Sequence, residues 1–220
     1  MVVVYYIKWN DEDIETIMSF KNRLSVSRQK KMERLCFERD QVRSALGELL
    51  LRFARNQAHK FFLEPTVSRF GKPQLPDGFF SISHAGEIVV LAYGNVNVGV
   101  DVEQMQEQID YYKCVFSESE QSLIYEAPKE LRKERFIRLW TLKESYLKMI
   151  GTGFLIDPAS ISIEMHSDEF FIADITGKHI YLTSFALWET YYLALCTEDQ
   201  KMCIERVRIS ELVKFMEGVR

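Results

Sequence analysis

Hydrophobic positions in the first hundred residues switch between two periods. Val2 to Ile7 is a nearly continuous, β-branched run that reads as a buried strand, and Ile14, Ile17 and Met18 then fall at helical spacing behind an acidic start. A short basic helix is predicted from about Arg28 to Leu35. Val42, Ala45, Leu46, Leu49, Leu50 and Phe53 make the strongest helical stripe, at i, i+3, i+4, i+7, i+8 and i+11, with Asp40 placed to cap it. Gly47 inside that helix costs about 1 kcal/mol relative to Ala, so either something approaches the backbone there or the residue is merely tolerated. Thr66–Phe70, Phe79–Ser83, Ile88–Tyr93 and Val98–Glu103 are strand-like runs separated by turn chemistry at Gly71-Lys72-Pro73, Ala85-Gly86 and Gly94-Asn95. The pattern predicts an antiparallel sheet under one long helix.

After Gln104 the pattern begins again. Ser117-Glu118-Ser119-Glu120 has the spacing of a capping box, Pro128 breaks the chain, and Lys129 to Ile150 reads as a second long helix. Strands are expected near Ser160–Met165, Phe170–Ile175, Ile180–Phe185, Thr190–Cys196 and Ile204–Ile209, with a short helix from Glu211. Superimposing Ser81–Tyr93 on Thr183–Leu195 aligns Leu91-Ala92 with Leu193-Ala194, a weak internal repeat. The fold class expected is α+β, built from two similar halves, 1–104 and 105–220, each a long helix on an antiparallel sheet, with a cleft between them.

Composition narrows the function classes. A chain of 220 residues with 47% apolar and 13% aromatic residues can bury a substantial core. A formal charge of −4 argues against gripping nucleic acid by bulk charge, so any basic site must be local. Cys36, Cys114, Cys196 and Cys203 lack metal-site spacing and read as reduced thiols of a cytoplasmic protein. Met1 to Ile7 has neither a basic stretch nor a small-residue cleavage site, and Lys8 ends the apolar run too early for a membrane span.

Gly99-Val100-Asp101-Val102-Glu103 carries the first candidate chemistry. In a strand, Asp101 and Glu103 share a face while Val100 and Val102 turn into a core. Adjacent carboxylates repel unless a positive group lies between them, and Mg2+ is an economical one; the bland alternative is a strand end entering a solvated acidic turn. On the second long helix, Phe136, Leu139, Trp140, Leu147 and Ile150 define an apolar face with Lys143 in its middle and Glu144 at its border. Glu144 and Lys148 can equally be an i, i+4 surface ion pair worth about 0.2–0.5 kcal/mol. Arg28 and Lys31 share a helix face and Arg43 begins the next helix, residues whose default is a solvated surface. Lys72 in its Gly-Lys-Pro turn reads as a loop tip, and Ser83-His84 ends a strand.

Taken together and in order, these stretches resemble the Sfp-type (surfactin-type) 4'-phosphopantetheinyl transferases. The matching runs are Gly71-Lys72-Pro73, Phe80-Ser81-Ile82-Ser83-His84, Gly99-Val100-Asp101-Val102-Glu103, Phe116-Ser117-Glu118-Ser119-Glu120, and Trp140-Thr141-Leu142-Lys143-Glu144-Ser145-Tyr146-Leu147-Lys148 with Gly151-Thr152-Gly153. Ser81 stands where the family commonly has Asn, and Ala85 where it often has Ser. Val102, at the variable position between the two acids, is no ligand, which leaves water to complete the coordination.

The resemblance implies a Mg2+-dependent enzyme that moves phosphopantetheine from coenzyme A to a serine of an acyl or peptidyl carrier protein, releasing 3',5'-ADP, in fatty acid, polyketide or nonribosomal peptide biosynthesis. It implies that Asp101, Glu103 and Glu144 hold the metal with the pyrophosphate, that Arg28, Lys31 and Arg43 surround the 3'-phosphate, that Gly71, Lys72 and Pro73 border the adenine and phosphate region, and that Ser83 and His84 contact phosphate. Glu144 is then the candidate base and Lys148 the partner of the leaving phosphate. Two fused halves suggest that a monomer completes the site, and the acidic net charge and early end of the apolar run leave no nucleic acid or membrane as an expected partner. The rival readings are a non-catalytic coenzyme A or nucleotide-binding module and a Mg2+-dependent pyrophosphate hydrolase, for which no helix carries a dense glutamate set.

Overall fold

In the computed structural model, which describes residues 1–105, 114–166, 169–172, 180–188 and 190–218, the chain forms two principal sheets, each carrying a long helix. In chain order the elements are β1 (Val2–Lys8), α1 (Ile14–Ser19), α2 (Val26–Glu33), α3 (Glu38–Gln57), β2 (Thr66–Val67), β3 (Pro73–Gln74), β4 (Phe79–Ala85), β5 (Ile88–Gly94) and β6 (Val98–Gln104). There follow α4 (Glu118–Tyr125), α5 (Lys129–Ile150), β7 (Ile163–His166), β8 (Glu169–Ile172), β9 (Tyr181–Leu187), β10 (Tyr191–Thr197), β11 (Met202–Arg206) and α6 (Ile209–Gly218). The expected strand Phe170–Ile175 is described only as far as Ile172, and its remainder lies outside the described residues.

The first sheet runs β11-β1-β5-β4 and the second β6-β10-β9-β8-β7. Strand β5 explains the alternation: Val89, Leu91 and Tyr93 enter the core beneath α3, while Ile88, Val90 and Ala92 face the second sheet. Strand β10 does the same, with Tyr192, Ala194 and Cys196 toward α5 and Tyr191, Leu193 and Leu195 toward the first sheet. Both strands are buried on both faces, which is why their sequences read as unbroken apolar runs.

Four expectations change. The division at residue 104 follows the chain but not the sheets. β6 pairs antiparallel with β10, so the second unit opens at Val98, whereas β11 returns to pair parallel with β1 and α6 packs on the α3 core through Leu212 and Met216. With that assignment the duplication is direct: β1-β5-β4 under α3 corresponds to β6-β10-β9 under α5. The internal alignment also slips by one residue, because the β9–β10 turn is one residue longer than the β4–β5 turn. Helix-facing Leu91 therefore corresponds to helix-facing Ala194, not to Leu193.

Third, Asp40 does not cap α3. Phe37 occupies the cap without a side-chain bond, and Asp40 pairs instead with Arg43 one turn on. Residues 66–70 yield only the two-residue β2, paired with β3 and exposed on both strands, so little burial rewards a longer ladder. Gly47 lies against β4, where an added Cβ would sit 3.5 Å from Ile82 Cγ2. The capping box at Ser117 and Glu120 forms as expected, and α5 spans Lys129 to Ile150. The four cysteines are free thiols, and among the described residues no helix is long and apolar enough to cross a membrane.

Candidate active site

Strand β6 is an edge of the second sheet, and its two faces separate as the alternation requires. Val98, Val100 and Val102 enter the apolar layer between the sheets, leaving Gly99, Asp101 and Glu103 to face α5. Contact there is close because residue 99 has no side chain: a Cβ would lie 1.9 Å from the Ser145 carbonyl oxygen and 2.4 Å from Met149 N. Trp140, Glu144 and Lys148 follow at i, i+4 and i+8 along the facing side of α5. Trp140 Nε1 donates to Glu103 Oε1 at 3.3 Å, and Lys148 Nζ donates to Asp101 Oδ1 at 2.5 Å. Glu144 stands between those two contacts on the same helix face.

Strand β4, the edge of the first sheet, closes the arrangement from the other side. Ser81 Oγ accepts the Val100 N–H at 3.1 Å, while Ser83 Oγ donates to Asp101 Oδ1 at 2.7 Å and accepts from Lys148 Nζ at 2.8 Å. Small hydroxyl side chains thus replace a backbone ladder between the two sheet edges. Asp101 is only 2% exposed, and its second oxygen, Oδ2, has no hydrogen-bond partner. A buried carboxylate oxygen left open is expensive in a protein interior and is the kind of atom a cation satisfies.

Electrostatics at Glu103 and Glu144 point the same way. Burial, and then the neighbouring Asp101 charge, push the Glu103 carboxyl up to about 7, against the Trp140 hydrogen bond and Lys148. Burial, and then Asp101, also raise Glu144, with Lys148 opposing. Crowded, partly desolvated carboxylates of this kind are relieved by a hard cation. They do not close into a finished cage: among the described residues no three His, Cys, Asp or Glu side chains are grouped as a metal cluster. The donor set fits an ion held by one or two carboxylates and completed by phosphate or water oxygens.

Beside the acids lies a cavity of about 480 Å³. Arg28, Lys31, Arg43, Gly71, Lys72, Pro73, His84, Glu144 and Lys148 all line it, so the structure brings together the sequence candidates from both halves. Four cationic side chains, Arg28, Lys31, Arg43 and Lys148, face two acids, Asp40 and Glu144, which makes the cavity locally basic within a net acidic chain. Burial, and then Arg28, lower the Lys31 ammonium; burial, followed by Arg43 and Lys148, lowers the His84 imidazole. An anion entering the cavity relieves these crowded positive groups.

Two candidates sit differently from a simple phosphate contact. Ser83 lies beneath the cavity and is hydrogen-bonded to Asp101 and Lys148. Lys72 contributes its stem to the wall, but its ammonium donates to Met149 O at 2.5 Å and Asn97 Oδ1 at 3.0 Å, at the C-terminal end of α5. Burial there pushes Lys72 down to about 8. Gly151, at φ 75°, ends α5 against that stem, where a Cβ would come within 2.6 Å of Lys72 Cδ.

Sequence reasoning passed over Glu48, and it read Glu120 only as part of a capping box. Glu120, 1% exposed, pairs with the fully buried Lys143 at 2.7 Å; Lys143 also donates to Pro158 O and Ile161 O. Lys143 in an apolar stripe was the legible half of that pair, and a partner acid was the signal to look for. Glu48 belongs to a second α3 stripe, Ser44, Glu48, Leu51 and Arg55 at i, i+4, i+7 and i+11, whose polar members are all buried.

A sequence model of the 4'-phosphopantetheinyl transferase superfamily matches residues 97–196, the segment from β6 through β10. A Bacillus subtilis 4'-phosphopantetheinyl transferase is 30% identical over 203 residues, covering 86% of this chain and 90% of that protein. The transferase Sfp, also of B. subtilis, is 29% identical over 85% of this chain and 86% of its own length. The transferase gsp of Aneurinibacillus migulanus is 29% identical over 96% of this chain and 94% of its own.

Proposed function

The chain belongs to the 4'-phosphopantetheinyl transferase superfamily, and we propose that it transfers 4'-phosphopantetheine from coenzyme A to a serine of an acyl or peptidyl carrier protein, releasing 3',5'-ADP. The single observation that carries this reading is the facing of Asp101 and Glu103 on β6 by Glu144 and Lys148 on α5, beside a cavity lined with Arg28, Lys31, Arg43 and His84. Coenzyme A carries a 3'-phosphate and a pyrophosphate, and the cavity offers cations for the first and an acid cluster for the second. Asp101, Glu103 and Glu144 would hold Mg2+, which supplies charge neutralisation on the pyrophosphate.

Arg28, Lys31 and Arg43 bind the 3'-phosphate and so orient the donor, with the Gly71-Lys72-Pro73 turn bordering the adenine end. Glu144 takes the proton of the incoming serine hydroxyl, directly or through a water. Burial, and then Asp101, raise its proton affinity, which favours proton acceptance. The serine oxygen forms its bond to the β-phosphorus as the bond from that phosphorus to 3',5'-ADP breaks. Lys148 leaves Asp101 for the departing phosphate and neutralises it. A monomer suffices for this reaction, since β4 of the first sheet and α5 of the second half line the cavity within one chain.

The test is to incubate the protein with coenzyme A, Mg2+ and a panel of apo carrier domains and to read the carriers by intact mass. Gain of one phosphopantetheine supports transfer. Tight coenzyme A binding with every carrier left at its apo mass supports the rival binding module instead.

A further inference from the structure

Glu48 takes no part in the chemistry above, yet it is a carboxylate on α3, 2% exposed, with donors on every side. Oε1 accepts the Ser25 N–H at 2.8 Å and both Nε and Nη2 of Arg52, at 2.9 and 2.8 Å. Oε2 accepts the Ser25 hydroxyl at 2.6 Å, and Arg28 Nε lies 3.6 Å from it. A buried carboxylate persists only when paired and hydrogen-bonded, and here two guanidinium groups converge on one anion. They share it unequally.

Arg52 makes the short contacts and stacks on Phe62 at 3.8 Å, away from the cavity. Arg28, which lines the cavity, makes the long contact and a weak one to Ser44 Oγ at 3.4 Å. The trio therefore carries one positive charge beyond its anion, on the side that faces the cavity. Ser25 adds the mechanical half of the device. Its Oγ caps α2 by accepting the Arg28 N–H at 3.3 Å while donating to Glu48, so the start of the helix bearing Arg28 and Lys31 is fastened to α3.

We propose that Glu48 is the positioning residue for the anion end of the cavity: with Ser25 it fixes where Arg28 stands, and because Arg52 neutralises it, Arg28 keeps its charge for a substrate phosphate. This rests on the reading that Arg28 meets the 3'-phosphate of coenzyme A. Removing Arg52 leaves Glu48 to neutralise Arg28. Removing the Ser25 hydroxyl loosens the helix without changing any charge.

The experiment compares coenzyme A with 3'-dephospho-coenzyme A as donors, taking the ratio of their kcat/KM values, which is insensitive to the fraction of protein folded. Wild type should prefer coenzyme A, and Arg28→Ala should bring the ratio close to one. Arg52→Met and Ser25→Ala should each lower the ratio by roughly three- to tenfold, through KM for coenzyme A with kcat retained, and Arg52→Lys should restore part of it. If Arg28→Ala leaves the preference intact, the placement of the phosphate on Arg28 fails and the role of Glu48 with it. If Arg28→Ala erases the preference while Arg52→Met and Ser25→Ala keep it, or weaken both donors equally, the role of Glu48 alone is overturned.

Discussion

Lys148 Nζ lies 2.5 Å from Asp101 Oδ1, so the acid that opens the candidate metal site is already joined to an ammonium group from the facing helix. A divalent cation on Asp101 must share that carboxylate with Lys148 or displace it. Under the proposed function, coenzyme A would ease the exchange, because its phosphates offer the ammonium another partner. Lys148→Met should therefore bind Mn2+ more tightly than wild type when coenzyme A is absent, by about tenfold, measured from the electron paramagnetic resonance signal of free Mn2+. Transfer in the same variant should fall sharply. Unchanged Mn2+ affinity would mean that the ammonium does not compete.

Glu103 sets a pH dependence whose sign is fixed by the direction of its shift. Its carboxyl is raised to about 7 in the folded protein, above its ordinary value of 4.5. The folded state thus binds the proton more tightly, and the stability associated with this group is present below the ordinary value and lost as pH rises through about 7. With a chelator present, the wild-type Tm should decline between roughly pH 5 and 7.5, and Glu103→Gln should flatten that decline. An identical slope in the variant would locate the titration elsewhere.

Lys143 and Glu120 fasten α5 to α4 and to the chain before β7 in a site closed to water. Replacing one partner strands the other charge, so Lys143→Met should cost about 3–5 kcal/mol in urea unfolding. The double replacement Lys143→Met with Glu120→Gln should recover part of the loss, since no buried charge then remains. Additive losses would show that the two side chains act independently.

Gly99→Ala tests the close approach of β6 and α5. The new methyl group overlaps the helix backbone at Ser145 and Met149, so the helix must move outward, separating Asp101 and Glu103 from Glu144 and Lys148. The expected result is destabilisation of about 3 kcal/mol or more, together with loss of transfer; wild-type melting and activity would contradict the packing described.

Legibility of the chain followed the range of the interactions involved. The stripe of α3, the limits of α5 and the capping box at Ser117 are local, set by spacing and cap chemistry, and could be read directly. The facing of Asp101 and Glu103 was equally local, since a strand alternates whatever it pairs with. Partner choice was not: nothing within Val98–Gln104 says that it pairs with β10 rather than β4, and nothing in Met202–Arg206 announces a parallel return to β1. Glu48 and the ion-pair role of Glu120 were obscured for the same reason, because Ser25, Arg28 and Lys143 lie on other elements and an acid on a helix normally faces water. The resemblance gathered Arg28, Lys31, Arg43, His84, Glu144 and Lys148 into one site, and the shared cavity gives that gathering a physical form. It placed Lys72 less well, because the ammonium reaches past the cavity to the end of α5.

Under the proposed function, Glu144, beside Asp101 and Glu103, is the group on which transfer to a carrier serine depends. Intact-mass spectrometry of an apo carrier incubated with coenzyme A and Mg2+ tests it most directly, run with wild type, with wild type plus chelator, and with Glu144→Gln. The carrier should be heavier by one phosphopantetheine in the first case and unmodified in the other two. A carrier left at its apo mass by wild type, or modified at the wild-type rate by Glu144→Gln, would contradict this reading.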